Sequence, residues 1–411
     1  MINEYSLRVK RVQDAVDLKE SDMVPIVPSI SGTAFYLSGD TTYKDTYYNY
    51  AKATQALFDF YRTYMPDAYT FTGLTSGKSN EIAGSTMIDW PGRPGSKVPD
   101  FSTHQVIEHE YMEQDEYPEL IGDFTGFMLR KYIPRAFPGL AGLGSIGFVP
   151  SIVLSTKPLA GLYSDGALEA YEKLREIAKN DREANSATEK LVADLASTGI
   201  PAMFNGAGQA PFDIISDYYR GTIGMFHDLI DCPDLIAGAC DMFADIQIAS
   251  YERFRNADMP FKRVFFPLHK GMDRFMGPDQ YTELYWKPLR KVMMALIDLG
   301  VTPVVFAEGP YNTRLECLAD VPPGKVVYQF ETIDIARAKE IFTGIACISG
   351  NFPVYLLEYG SRQQVIEEAK RLLDICAPGG GYIFNTDKYI ENVKRENIEA
   401  MFETVRNYGK A

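Results

Sequence analysis

The chain is short of several features that would point directly to a function. It has only five cysteines in 411 residues (Cys232, Cys240, Cys317, Cys347 and Cys376), and no two form a CxxC pair. An odd, scattered set in apolar surroundings argues against a disulfide framework and predicts reduced, buried thiols rather than metal ligands. A basic surplus is missing too. The 41 Lys and Arg against 55 Asp and Glu leave a formal net charge of −14, which speaks against a nucleic-acid surface. No uncharged apolar run is long enough to cross a bilayer. The opening Met1-Ile-Asn-Glu-Tyr5 has no cationic segment leading into an apolar one. No signal peptide is read there, and a cytoplasmic location is expected. Internal repeats and low-complexity tails are absent.

What is present is an ordinary globular composition, 46% hydrophobic and 23% charged, and, in the last third, a regular alternation. Short apolar runs at 301–306, 325–330, 344–349 and 381–384 are separated by segments of helical period. Trp286, Leu289, Val292, Met293, Leu296 and Ile297 share one face, closed by Gly300. Val365, Ile366, Ala369, Leu372, Leu373 and Cys376 share another, opened by a capping box at Ser361 and Gln364 and stopped at Pro378-Gly-Gly-Gly381. A last helix carries Ile398, Met401, Phe402, Val405 and Tyr408. Earlier runs at 24–28, 67–72, 200–206 and 262–268 bring the candidate strands to eight. Each reads as a strand buried on both faces. The expectation is a single (β/α)8 TIM barrel over residues 1–411. Residues 73–198 interrupt the alternation and read as a lid-like insertion after the second strand. They hold a strand at Gln105–Met112, an apolar Gly/Pro run at Phe137–Pro150 and a polar helix at Leu168–Leu195.

In such barrels the chemistry sits where strands end. Glu308, Glu331, Asp387 and His269 stand there as catalytic candidates, with Asn351, Tyr311, Lys270 and Asn205 as substrate contacts. Each has a plainer reading. Glu308 could close a salt bridge, Glu331 and Asp387 could cap helices or turns, and Asn351 could hold a turn. A lone histidine such as His269 is often a hydrogen-bonded structural group. His104 and His109 lie in an acidic stretch and are not taken as ligands. The Tyr43–Tyr50 cluster reads as core and lid packing that would suit an aromatic ligand.

The order of several motifs resembles the uroporphyrinogen decarboxylase superfamily. They are Gly344-Ile-Ala-Cys-Ile-Ser-Gly-Asn-Phe-Pro353 followed by Gly379-Gly-Gly-Tyr-Ile-Phe-Asn385, Ala210-Pro-Phe-Asp213 with Tyr219-Arg-Gly221, Asp334-Ile-Ala-Arg-Ala-Lys339, and Glu396-Asn-Ile-Glu-Ala-Met401. The resemblance covers residues 200–408 well and the first 200 loosely. It implies one of two activities. The decarboxylase branch grips its substrate through an N-terminal Arg-Gln-Ala-Gly-Arg. Here the corresponding segment is Ser29-Ile-Ser-Gly-Thr-Ala-Phe-Tyr36, without arginine.

The methyltransferase branch carries His-x-Cys-Gly after the fifth strand and Cys after the eighth, which together hold zinc. Here Phe306 stands for that His and Glu308 for that Cys. Aligning back from the last helix puts Asp387 at the eighth-strand position, and aligning forward from Gly-Tyr-Ile puts Lys388 there. What the resemblance then implies is an oxygen-based site, with Glu308, Asp387 and His269 as ligands of a zinc ion. Hard ligands suit an oxygen substrate better than a sulfur one. The expected activity is transfer of a methyl group from an O-methyl compound, such as a methoxylated aromatic, to the Co(I) corrinoid carried by a partner protein. A homodimer is compatible with the chain. Two alternatives stand beside this: a decarboxylase or lyase of another acidic substrate, and a non-catalytic binding component.

Overall fold

The short apolar runs close into a ring in the computed structural model, which describes residues 3–148 and 155–410. Six parallel strands follow one another in order: Gly206–Ala207, Arg263–Leu268, Thr302–Pro310, Val327–Thr332, Cys347–Gly350 and Tyr382–Ile383. The ring is completed by parallel bridges of Ile26 to Phe384 and of Tyr69 to Ala202. The Asp67 amide donates to the Ile26 carbonyl at 2.9 Å and joins the first two positions. The fold is a (β/α)8 TIM barrel, as expected. The first two positions hold by single bridges rather than long ladders. The seventh strand starts at Cys347 rather than Gly344, because Gly344 takes φ +74 in the turn before it.

Alternation along the strands builds two cores. Val304 and Phe306 point into the barrel with Phe265, Val327, Cys347 and Ile383. Val305, Ala307, Tyr328 and Phe330 point outward, beneath the helices. Val12, Ala15 and Val16 of the helix Glu4–Val16 join the inner core and plug the N-terminal end of the barrel. Two arginines fix this plug at the strand starts. Arg8 donates to the Gly199 carbonyl at 2.9 Å, and Arg11 pairs with Asp67 at 2.5 Å.

The helices follow their sequence signals. Ser361 and Gln364 form the expected capping box of Arg362–Cys376, and Gly300 ends Lys287–Asp298 with φ +72. The helix Arg395–Tyr408 buries Ile398, Met401, Phe402 and Val405. Tyr408, expected on the same face, is 47% exposed and donates its hydroxyl to Asp374 instead.

Between the second and third strands, the polar helix is Asp165–Ser197, packed on Tyr50–Tyr64 and Gly77–Ala83. The strand expected over Gln105–Met112 shrinks to Gln105–Val106, paired antiparallel with Ile88–Asp89. Its remainder leaves the pair because the amides of Tyr111 and Met112 both turn to the Tyr219 carbonyl, at 2.8 and 2.9 Å. Within the Gly/Pro run, Pro138–Ser145 is a 3-10 helix, and positions 149–150 lie outside the described residues. All five cysteines are free. Among the described residues, no helix is long and apolar enough to cross a membrane.

Candidate active site at the barrel mouth

The inward parity of three strands, followed to their C-terminal ends, delivers three polar side chains to the mouth. Phe265 points in, and so does His269 beyond it. Phe306 points in, followed by Glu308. Val327 and Gln329 point in, followed by Glu331. A bulge sharpens the second of these. The pairing of the fifth and sixth strands shifts between Ala307 and Pro310, where Gly309 adopts φ +81. The Gly309 amide freed by the bulge donates to Glu331 at 2.7 Å. Such bulges re-aim side chains at functional rims.

His269 and Glu308 face one another. The His269 Nε2 lies 3.8 Å from a Glu308 oxygen, while its Nδ1 is 2.5 Å from Asp217. Side-chain exposures of 33% and 37% keep both open to the mouth. Burial opposes charge on His269, but the hydrogen bond to Asp217 and the charges of Asp213, Asp217 and Glu308 outweigh it and lift its pKa to about 9. At neutral pH it is an imidazolium. Burial also raises the Glu308 pKa, partly offset by His269, with Glu331 and Asp217 adding to the rise.

The other expected residues fall into three groups. Asp387 and Glu331 are at the mouth but engaged. Asp387 accepts from the Val354 amide at 3.1 Å, and burial raises its pKa. Glu331 takes the Gly309 amide and the Lys388 ammonium, the latter at 3.1 Å. Asn351 and Lys270 lie at the rim in supporting positions. The Asn351 amide donates to the carbonyls of Glu331 and Ile333, and Lys270 donates to Thr222 at 2.8 Å.

Two expectations are wrong. Asn205 pairs with the start of the fourth strand, accepting from the Arg263 amide and donating to the Phe261 carbonyl at 2.8 Å. That places it at the end of the barrel opposite the mouth. Tyr311 is fully buried in the outer core against Tyr285 and Gly271, beyond reach of a ligand.

The zinc expectation fails on its donors. A catalytic zinc needs three convergent protein ligands. Asp387 is turned to Val354, which leaves only His269 and Glu308 of the three in proximity. Among the described residues, no three His, Cys, Asp or Glu side chains group to hold a metal.

Sequence reasoning missed Asp213 and Asp217, four residues apart on the turn of helix after the third strand. Their i, i+4 spacing places both on one face, a signal that was available. Asp213 is fully buried. Its two oxygens accept the amides of His269 and Lys270 at 2.9 and 3.0 Å, and Tyr285 donates to it at 2.7 Å. Burial raises its pKa, and the charge of Asp217 adds to the rise. The motif Tyr219-Arg-Gly221 is structural. Arg220 is buried, pairs with Asp228 at 2.6 Å and with Glu110 at 2.9 Å, and pins residues 110–112 beside the mouth.

Also missed was a cavity of about 450 Å³ beside these groups, over the ends of the first, second and eighth strands. Tyr389 is the wall shared by the two halves of the mouth. It lines the cavity, and its ring meets Phe306 edge-on at 6.3 Å, below Glu308.

Comparison with known proteins agrees with this architecture. The family model for uroporphyrinogen decarboxylase (URO-D) matches residues 167–408, more than half of the chain. A uroporphyrinogen decarboxylase from Azoarcus sp. (strain BH72) is 24% identical over 200 residues, which are 47% of this chain and 53% of that relative. The chain thus spans about half the length of the curated relative it matches. Among solved structures, a methyltransferase from Methanosarcina mazei superposes with a TM-score of 0.59 over 98% of both chains at 16% identity, which establishes a shared fold. With a family model matched over more than half of its length, the chain belongs to the uroporphyrinogen decarboxylase (URO-D) family.

Proposed function

We propose that the protein is a methyltransferase that takes a methyl group from an O-methyl compound, a methoxylated aromatic, and passes it to the corrinoid of a partner protein. The observation that carries this is the 3.8 Å gap between His269 Nε2 and Glu308, with His269 Nδ1 held by Asp217. That gap is too long for a direct hydrogen bond. It suits an ether oxygen, whose two lone pairs would meet one donor on each side when Glu308 is protonated.

The corrinoid, when bound, supplies the nucleophile that accepts the methyl group. The chain's own work is on the oxygen left behind. As the carbon–oxygen bond breaks, the bonding pair stays on oxygen and takes the proton of His269 Nε2. A general acid works best when its pKa lies near those of the reacting group and the medium. The value of about 9 for His269 sits close to that of a departing phenol, roughly 10 by analogy with tyrosine. Asp217 keeps the ring oriented and charged, and Asp213 fixes the backbone from which His269 projects. Residues 73–198 serve as the lid, reaching the rim through the bond from the Thr222 amide to Glu108.

A decarboxylase of an acidic substrate would want free cations at the mouth. Lys270 is tied to Thr222, Lys388 to Glu331, and Arg314 to the Met276 carbonyl. A non-catalytic component would want no cavity, and one of about 450 Å³ adjoins the pair. The deciding experiment supplies 2-methoxyphenol and a reduced corrinoid protein to the purified chain. Demethylation that requires both partners supports the proposal. Carbon dioxide release from uroporphyrinogen at an enzymatic rate would sink it.

A further inference from the structure

The cavity beside the catalytic pair has a chemistry of its own. No lysine or arginine lines it, and its one carboxylate is Glu391. Its walls carry the rings of Phe35, Tyr43, Tyr47, Phe71 and Tyr389. Glu391 stands at the open side, exposed as a residue while its carboxyl is partly buried, which raises its pKa against the lowering by its hydrogen bonds to Tyr43 and Ser31. Its carboxylate is held by the Tyr43 hydroxyl at 2.5 and 2.6 Å, and Ser31 lies 2.5 Å from that same hydroxyl. The Tyr43 ring is set in turn by an edge-on contact with Phe35 at 5.5 Å. His104 also lines the wall, where desolvation of its ring lowers its pKa. With Glu308 protonated, Asp217, Glu331 and Asp387 are matched by His269, Lys270 and Lys388, so the negative charge that faces the cavity is that of Glu391. A ligand in this cavity meets aromatic faces and negative charge, the two features that attract an organic cation. A carboxylated ligand meets no counter-charge and would lose its hydration without replacement. At about 450 Å³ the space falls in the range of small-molecule sites and holds a single substituted ring with room to spare.

We infer that this cavity binds the body of the substrate, that it selects a ring bearing a protonated amine over one bearing a carboxylate, and that Glu391 sets that selection. The inference rests on the methyl-transfer proposal only for the choice of ring. Glu391 lies outside the reacting groups and acts on specificity alone.

Three probes share one methoxyphenol body and differ in charge: 2-methoxyphenol, 4-hydroxy-3-methoxybenzoate and 4-hydroxy-3-methoxybenzylammonium. Their binding to the full chain is read by titration calorimetry, without turnover. The ammonium probe should bind about tenfold or more tighter than the carboxylate, with the neutral probe between. Glu391→Gln should bring the charged probes within about threefold of each other and leave the neutral probe within about twofold of its former affinity. Glu391→Lys should invert the order. Both variants are checked by their melting curves, since Glu391 sits at the surface and its loss should leave the barrel intact. Tighter binding of the carboxylate, an order that Glu391→Gln and Glu391→Lys leave unchanged, or no binding of any probe at millimolar concentration would each overturn the inference. The two proposals fail separately. Binding in the expected order without methyl transfer removes the methyltransferase reading alone. Transfer that favours the carboxylated ring removes the selection alone.

Discussion

Asp213 reaches across from the turn after the third strand and grips two consecutive amides of the fourth-strand loop, those of His269 and Lys270, one with each carboxylate oxygen. A side chain thereby does what a neighbouring strand would do in a sheet. The loop that carries the imidazole is held by a group that never faces the substrate. Four residues on, Asp217 holds the imidazole itself. One short stretch of chain therefore sets both the position and the charge of His269.

Removing the grip should weaken the fold. Asp213→Ala leaves the two amides and the Tyr285 hydroxyl without their buried acceptor, at about 1 kcal/mol or more each. A loss of about 3 kcal/mol is expected, read as a lower urea midpoint at unchanged slope. Asp213→Asn keeps one oxygen and should lose less. Equal stability of the Ala variant and the wild type would contradict the geometry.

The charge of His269 should be visible in its pH response. Its pKa in the folded protein, about 9, lies above the ordinary 6.5. The stabilisation from its ionic contacts is therefore fully present below about pH 6.5 and lost as pH rises through about 9. Activity that needs the imidazolium should fall over the same alkaline range. In Asp217→Asn the alkaline limb and the NMR titration of His269 should move together toward 6.5. A limb that stays near 9 in that variant would assign the acid to another group.

Glu308→Gln tests the opposing face of the gap. In the proposed role Glu308 gives the oxygen a hydrogen bond while His269 gives the proton, so the amide leaves a weaker donor in place and a loss of about tenfold in turnover is expected with stability little changed. Glu331→Gln, by contrast, loosens the Gly309 amide and the Lys388 ammonium. It should act more weakly, through KM and loop order.

The donor count makes a prediction about metal. Elemental analysis of protein purified without chelators should find well under one zinc per chain, and a strong chelator should leave turnover unchanged. Stoichiometric zinc lost together with activity in Glu308→Gln would mean that Asp387 swings away from Val354 to complete a site.

Gly32→Ala should damage the cavity without straining the backbone. Its φ of −69 is open to any residue, yet a Cβ there would lie 2.2 Å from Glu391 and 2.9 Å from the Tyr43 ring. Probe affinity should fall severalfold while His269 titrates as before.

Much of the barrel was legible because its strands are buried on both faces. Runs such as Val301–Phe306 have no other economical fold, and the caps and glycines around the later helices fix their ends. The ends of strands four, five and six yielded His269, Glu308 and Glu331 for the same reason. What was not legible depended on register. Asn205 stands next to the last residue of the run 200–206, but the residues that pair are Gly206–Ala207, so it precedes the strand rather than ending it, and that register cannot be read from composition. The bonds to Arg263 and Phe261 put it at the wrong end. Tyr311 follows the bulge at Gly309, which turns the chain outward, and bulges leave no periodic trace. Asp213 and Asp217 look like the solvated face of a helix until its partner loop is known. Glu391 and Tyr43 are separated by almost the whole chain.

That separation has a consequence for biosynthesis. The segment around Ile26 bridges to Phe384, and the helix Glu4–Val16 fills the end of a barrel whose wall includes Ile383. As the chain leaves the ribosome, the apolar face of that first helix can meet Val27 and Ala68 early, but the ring it plugs is not complete until more than 350 later residues have appeared. The sequence separation of these contacts makes closure slow. The unplugged, open ring exposes strand edges at both ends meanwhile. The late closure of the ring, with its strand edges open until then, is where this architecture is most exposed to mispairing.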